Sequence, residues 1–464
     1  MINLKRFKIF FLNSLLLVIS SFILQLIKLL FNIYVSNHIS SEALGVFQLI
    51  IVTYSFGITL ASSGINISCI RVVSEELAIG NNYEVRKSSL TCIKISLLIS
   101  LLASLIFFIN SNFIVKYCFQ NKVNNTIVYL ICVALPLISI SSAITGYFTA
   151  VRRIYKTILG QFLEQISKII ATIILFKMHS SVNSLQSICF CLILGDVISE
   201  FIAFLYLVFL YNFDLKKYFP IIKYKSFLCN FKKNLYVVLP LKIDLHHNKF
   251  VFKILKILIP VSVTTCIKSG ISTIKQLIIP SSLEKGGTNT DQALSEYGTI
   301  SGMAFPIIMF PAIFLLSVSI LLIPEFSRYY VKKNYKKIKK YTKKLLLITL
   351  IFSTILMLIF FIFGSLFGII IYNNPQVGLY IRIMSFLIPF MYIDIIVDNI
   401  LKGLDAQASV MVINIIDLIT SILFIIFIVP NLGITGYIIS IFISELLNFT
   451  LSLNKLIKLE KSFN

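Results

Sequence analysis

Tryptophan is absent from this chain, histidine occurs four times, and the eight cysteines include no CxxC pair. Zinc sites are commonly built on such pairs, and cysteines placed in or near apolar spans do not make a disulfide framework, so neither is expected. Most of the cysteines fall in or near apolar stretches, Cys189 and Cys191 one residue apart, and read as small buried hydrophobes. His246 and His247 stand side by side in a Lys-rich stretch, the pattern of a solvated loop. With no tryptophan, tyrosine has to form any aromatic belt. No GxGxxG, Walker, GxSxG or HExxH motif occurs in a suitable context, so nucleotide hydrolysis and the common hydrolytic chemistries lack their machinery. The chain therefore reads as neither an enzyme nor a cofactor carrier. Acid is scarce too: 19 Asp and Glu against 42 Lys and Arg leave a formal net charge of +23.

Apolar sequence is what the chain has in abundance. Hydrophobic residues fill 58% of its 464 positions and charged residues only 13%, against about 25% charged in a soluble domain; the mean hydropathy is +0.93. A membrane span takes about 20 largely apolar residues. Twelve such stretches are predicted, over 9–35, 44–68, 88–111, 126–150, 155–177, 184–211, 252–280, 294–324, 345–372, 377–401, 407–430 and 432–455. The first follows Lys5, Arg6 and Lys8 as a secretory signal would. It is too long for one and lacks an A-x-A-like cleavage site, so a retained helix is expected.

The positive charge follows this topology. With the N-terminus inside, the inner segments carry 33 Lys and Arg, while the outer loops hold only Lys116, Lys122, Lys177 and Lys285. That asymmetry predicts a multi-pass protein of the bacterial cell membrane with both termini cytoplasmic. It also argues against a nucleic-acid partner, because no single soluble domain gathers the basic residues. The polar interval 212–251 reads as a basic cytoplasmic linker at an anionic lipid surface. It separates 1–211 from 252–464, six helices each. A monomer is expected.

Five cations remain, all inside predicted spans: Lys28, Lys168, Lys268, Lys275 and Arg382. A charge at the bilayer centre costs about 2.5–3.5 kcal/mol on insertion scales and normally faces a protein interior or aqueous cavity. Ser21, Gln25, Lys28, Asn32 and Ser36 form one polar stripe at helical spacing. Thr264, Lys268 and Lys275 share another face. Gln25, Lys28, Asn32, Lys268, Lys275 and Arg382 are the candidate substrate residues of a cationic cavity, with snorkelling lysines the plainer reading. Glu164 and Lys168 stand at i, i+4 and suit a helix ion pair. Asp196 with Glu200, and Asp394 with Asp398, repeat that spacing, and Asp417 and Glu445 also lie within spans. Such carboxylates either bind Na⁺ or relay H⁺ for coupled transport, or neutralise the lysines. The two halves open alike. Leu26-Ile27-Lys28 leads to Ala43-Leu44-Gly45, and Thr273-Ile274-Lys275 leads to Ala293-Leu294 and Tyr297-Gly298, which would make Lys28 and Lys275 equivalent across a pseudo-twofold axis.

Four stretches resemble the stage V sporulation protein B family, in the polysaccharide-transporter branch of the multidrug/oligosaccharidyl-lipid/polysaccharide (MOP) superfamily. They are Glu42 to Glu76 (EALGVFQLIIVTYSFGITLASSGINISCIRVVSEE), Ile144 to Ile173 (ITGYFTAVRRIYKTILGQFLEQISKIIATI), Tyr297 to Arg328 (YGTISGMAFPIIMFPAIFLLSVSILLIPEFSR) and Pro430 to Asn448 (PNLGITGYIISIFISELLN). The resemblance covers almost the whole chain. It implies an all-α membrane protein of about twelve helices, MATE-like, in two six-helix lobes around a central cavity that opens alternately to each side. Its relatives include MviN-type flippases of lipid II, which move undecaprenyl-pyrophosphate-linked sugars outward, and a cationic cavity suits that pyrophosphate. Thr145 stands where the family would place Arg, Ala150 replaces the following Gly, and twelve spans stand against fourteen in many close relatives. A flippase for a lipid-linked cell-wall, spore-cortex or polysaccharide precursor is the leading expectation. Efflux of organic cations on the same fold and a non-transporting envelope scaffold are the alternatives.

Overall fold

The computed structural model describes residues 4–80, 82–178, 184–219 and 249–462. His246, His247 and residues 220–248 of the expected linker lie outside them. The described residues are helical, with no β-strand among them. In chain order the helices are α1 (Leu4–His38), α2 (Ser41–Ser62), α3 (Ile65–Ile79), α4 (Asn82–Ile109), the single turn α5 (Ser111–Phe113), α6 (Asn125–Ala150), α7 (Ile154–Met178) and α8 (Leu185–Tyr218). They continue with α9 (Lys249–Lys285), α10 (Thr290–Gly298), α11 (Phe305–Met309), α12 (Ala312–Val331), α13 (Tyr335–Tyr372), α14 (Pro375–Met384), α15 (Ile388–Gly403) and α16 (Gln407–Lys461). Among the described residues, ten stretches are long and apolar enough to cross a membrane.

The breaks between helices have local causes. Gly64 separates α2 from α3 with φ 75°, a left-handed conformation that other residues adopt only with strain. Between α10 and α12 a π-helical turn, Thr299–Ala304, is followed by Pro306 and Pro311, neither of which can donate a backbone hydrogen bond. Helix α16 has 55 residues, roughly 80 Å at 1.5 Å per residue, far more than one bilayer crossing. Its backbone leaves helical geometry at Gly433 (φ 58°, ψ −138°), three residues after Pro430. The predicted spans 407–430 and 432–455 meet at that kink, within two residues of Gly433.

The described chain forms two compact units, Ile50–Gly270 and Met1–Leu49 with Ile271–Asn464. In the first, Cys69, Val72, Val73, Tyr147, Phe148, Tyr211 and Leu215 build a core between α3, α6 and α8. Buried Ser139 donates to the carbonyls of Ala61 (2.7 Å) and Ser96 (3.1 Å), tying α6 to α2 and α4. The early part of α9 docks on α2 and α3 through Ser262, which donates to the Ser63 carbonyl at 2.7 Å, and through the Lys253–Glu75 ion pair at 2.6 Å.

In the second unit, Phe326, Ile338, Val397, Ile400 and Leu401 centre a core made by α12, α13, α15 and α16. Two buried phenols donate to carbonyls of the segmented 299–311 stretch, Tyr372 to Met303 at 3.2 Å and Tyr392 to Ile308 at 2.8 Å. Irregular backbone at membrane depth persists where protein groups satisfy it in this way.

Candidate functional site

Helix α1 splits its polar stripe. Ser21, Gln25 and Lys28 are exposed, whereas Asn32 is half-buried and donates its amide to the Gly302 carbonyl at 2.8 Å, and Ser36 is buried. Asn32 thus anchors α1 to the π-helical turn. Among the described residues no carboxylate lies within ion-pairing distance of Lys28. In the same unit Arg382 is exposed on α14 with its guanidinium 4.7 Å from the centre of the Phe361 ring, a cation–π contact.

Lys275 has different surroundings from Lys28. It is half-buried and donates to Ser421 Oγ at 3.0 Å, and the charges of Asp417 and Glu445 act on it. Behind it, α15 and α16 hold the remaining acids. Asp394 is buried and accepts the Asn448 amide at 2.8 Å; Asp398 accepts the Asn414 amide at 3.4 Å. The sequence reading passed over both asparagines. Each lies three residues from an acid it did single out, Asn414 before Asp417 and Asn448 after Glu445, so helical spacing was a usable signal. This cluster joins one lysine, four carboxylates and two amides, and is suited to holding or exchanging a small cation or a proton. Among the described residues no three His, Cys, Asp or Glu side chains stand as a metal-binding group.

The unit Ile50–Gly270 holds the other candidates. Lys168 on α7 reaches across to Asp196 on α8, Nζ to Oδ1 2.5 Å, with the side chains 21% and 10% exposed. Lys168 therefore has a partner on a neighbouring helix, where its spacing pointed to Glu164 of its own helix. Glu164, Asp196 and Glu200 all bear electrostatically on Tyr54, a buried phenol of α2 that nothing in its apolar surroundings flagged. On α9, Thr264 and Lys268 are exposed on one side, while Ser262 bonds to Ser63, just past α2, and Ser269 to Thr59 of α2 on another.

A further buried group also escaped the sequence reading. The Asp214 carboxylate, fully buried on α8, takes an ion pair from Arg153, another from Lys156 at 2.7 Å, and the Tyr147 hydroxyl at 2.9 Å. Arg153 stacks on Tyr218 at 3.6 Å. Two of the cations counted as loop charge therefore close a polar lock at one end of α6, α7 and α8.

Comparison with known proteins agrees with this architecture. Residues 11–265 match the sequence model of the polysaccharide biosynthesis protein family, and residues 291–427 match the MatE model. Stage V sporulation protein B of Bacillus subtilis (strain 168) is 20% identical over 432 residues, covering 92% of this chain and 80% of that protein. Among solved structures, a multidrug resistance MATE family transporter of the MOP superfamily in its inward-facing conformation has a TM-score of 0.72 at 13% identity, covering 95% of both chains. The lipid II flippase MurJ in its inward closed conformation gives 0.67 at 12% identity, over 95% of this chain and 87% of that one. These structures share its fold, that of an all-helical multi-pass membrane protein. With the family model covering more than half its length, the chain belongs to the polysaccharide biosynthesis protein family.

Proposed function

We propose that this protein is a flippase that carries an undecaprenyl-pyrophosphate-linked sugar precursor from the cytoplasmic to the outer leaflet by alternating access. The observation that carries the reading is Lys28, an exposed cation inside a membrane helix with no carboxylate partner among the described residues. A position of that kind is expensive in a bilayer and favourable against a pyrophosphate. Lys268 and Arg382, both exposed, add further cationic positions. The likeness to stage V sporulation protein B and to a lipid II flippase points to the same chemical class of cargo, a spore-cortex or other envelope precursor. Two lobes rock against each other in this scheme, with 212–251 as the tether. Both termini are cytoplasmic, the protein acts as a monomer, and no nucleic acid takes part. A negative-inside potential favours outward movement of the anion. The cluster of Lys275, Asp394, Asp398, Asp417 and Glu445 supplies the Na⁺ or H⁺ coupling.

The match of 291–427 to the MatE model and the carboxylates of α15 and α16 favour a second reading, export of organic cations. One experiment separates the two. Purified protein is offered the lipid-linked pyrophosphate and a lipophilic organic cation in turn, and binding is read by native mass spectrometry for wild type and for Lys28→Ala/Lys268→Ala. Retention of the precursor by wild type and its loss in the variant supports the flippase. Binding of the cation alone, indifferent to the substitutions, overturns it.

A further inference from the structure

A cavity of about 350 Å³ opens between α12 and α13 in the second unit, and none of the residues lining it is among those assigned above to transport. Leu322, Phe326, Leu345 and Ile348 form its apolar walls. At its mouth Tyr329 and Tyr341 stack with centroids 5.6 Å apart and planes 8° from parallel, and exposed Lys344 lines the same opening. Lys337 Nζ stands 5.7 Å from the centre of the Tyr329 ring. One carboxylate lines the cavity, Glu325, which pairs with Arg328 at 3.6 Å. It also accepts from the Tyr329 hydroxyl, and that bond pushes the phenol up to about 12, so the ring stays neutral and keeps its donor.

The position of this cavity along the helix is what gives it meaning. From Arg328 to Lys344 the sequence carries nine Lys and Arg and no acid; from Leu345 to Tyr372 it carries no charge at all. The cavity straddles that boundary, Leu345 and Ile348 on the uncharged side, Tyr341 and Lys344 on the basic side, and Leu322 and Phe326 of α12 completing the apolar wall, which is the polarity profile of a phospholipid at the edge of the acyl region. Its size is that of a small-molecule site.

We infer that the α12–α13 cavity binds an anionic phospholipid, with the phosphate between Lys337 and Lys344, the headgroup against the Tyr329–Tyr341 pair, and the first methylenes on Leu322, Phe326, Leu345 and Ile348. The test uses the full chain in detergent, titrated by native mass spectrometry with phosphatidylglycerol and with phosphatidylcholine of matched acyl length. Wild type should retain the anionic lipid about tenfold more tightly or better. Lys337→Gln/Lys344→Gln should erase that preference while keeping the precursor binding that Lys28 confers. Lys336→Gln/Lys343→Gln removes the same charge from another side of α13 and should leave the preference in place. Equal loss in both double variants would assign the effect to diffuse surface charge and overturn the site. So would a Lys337→Gln/Lys344→Gln variant that still discriminates, or a wild type that does not.

Discussion

Gly298 of α10 lies so close to Gly45 of α2 that a methyl group on Gly298 would sit 2.6 Å from the Gly45 backbone nitrogen and 2.4 Å from the Ser41 carbonyl oxygen. The contact is reciprocal, since a methyl on Gly45 would meet the Leu294 carbonyl oxygen at 2.0 Å. Backbone cannot yield as a side-chain tip can, so Gly298→Ala should destabilise by about 1–3 kcal/mol or more. Gly270 is the internal control. A methyl there meets only the Phe56 ring at 3.4 Å, an ordinary contact, and Gly270→Ala within helix α9 should be neutral or stabilising by up to about 1 kcal/mol. Thermal unfolding of the two purified variants decides the matter: a Gly298→Ala protein as stable as wild type contradicts the packing described.

Lys168 and Asp196 permit a double-mutant cycle. Their 2.5 Å pair is mostly buried, so removing one partner strands a charge and should cost about 3–5 kcal/mol. Lys168→Met/Asp196→Leu, which removes both, should recover most of that loss. Stability and transport then report different things. If the double variant is stable and still transports, the pair is architectural; if it is stable but inactive, the pair belongs to the coupling machinery. A single Asp196→Ala as stable as wild type would mean the pair does not form.

The helices were readable from the sequence because the signal was simple: long apolar runs bounded by Lys-rich segments. The environments of individual charges were much less legible. Lys28 and Lys275 stand in similar local sequence, yet one is exposed and the other bonds to Ser421, because local sequence does not specify what neighbouring helices present. Lys168 showed its helical neighbour Glu164 but not Asp196, which lies 28 positions away in sequence and depends on how α7 meets α8. Asp214 was hidden in the same way. One acid at the edge of a basic stretch gives no sign that Tyr147 of α6, Lys156 of α7 and Arg153 of the turn between them converge on it.

The contrast between Lys28 and Lys275 gives the most direct separation of cargo binding from charge balance. Lys275 lies among Ser421, Asp417 and Glu445, so Lys275→Ala should leave the carboxylates of α16 uncompensated and reduce stability by roughly 3–5 kcal/mol. Lys28 is exposed, and Lys28→Ala should change stability by less than about 0.5 kcal/mol. Precursor binding should show the opposite order. Loss of a charge-assisted contact worth about 1.5–3 kcal/mol would weaken binding by roughly 10- to 100-fold in Lys28→Ala. In Lys275→Ala, binding per folded molecule should survive. Melting temperature and precursor affinity measured on the same two preparations give four values, and the assignment requires both rankings. If Lys275→Ala is fully stable and fails to bind, the cluster behind it is itself the cargo site, and Lys28 reverts to a lysine snorkelling toward the membrane surface.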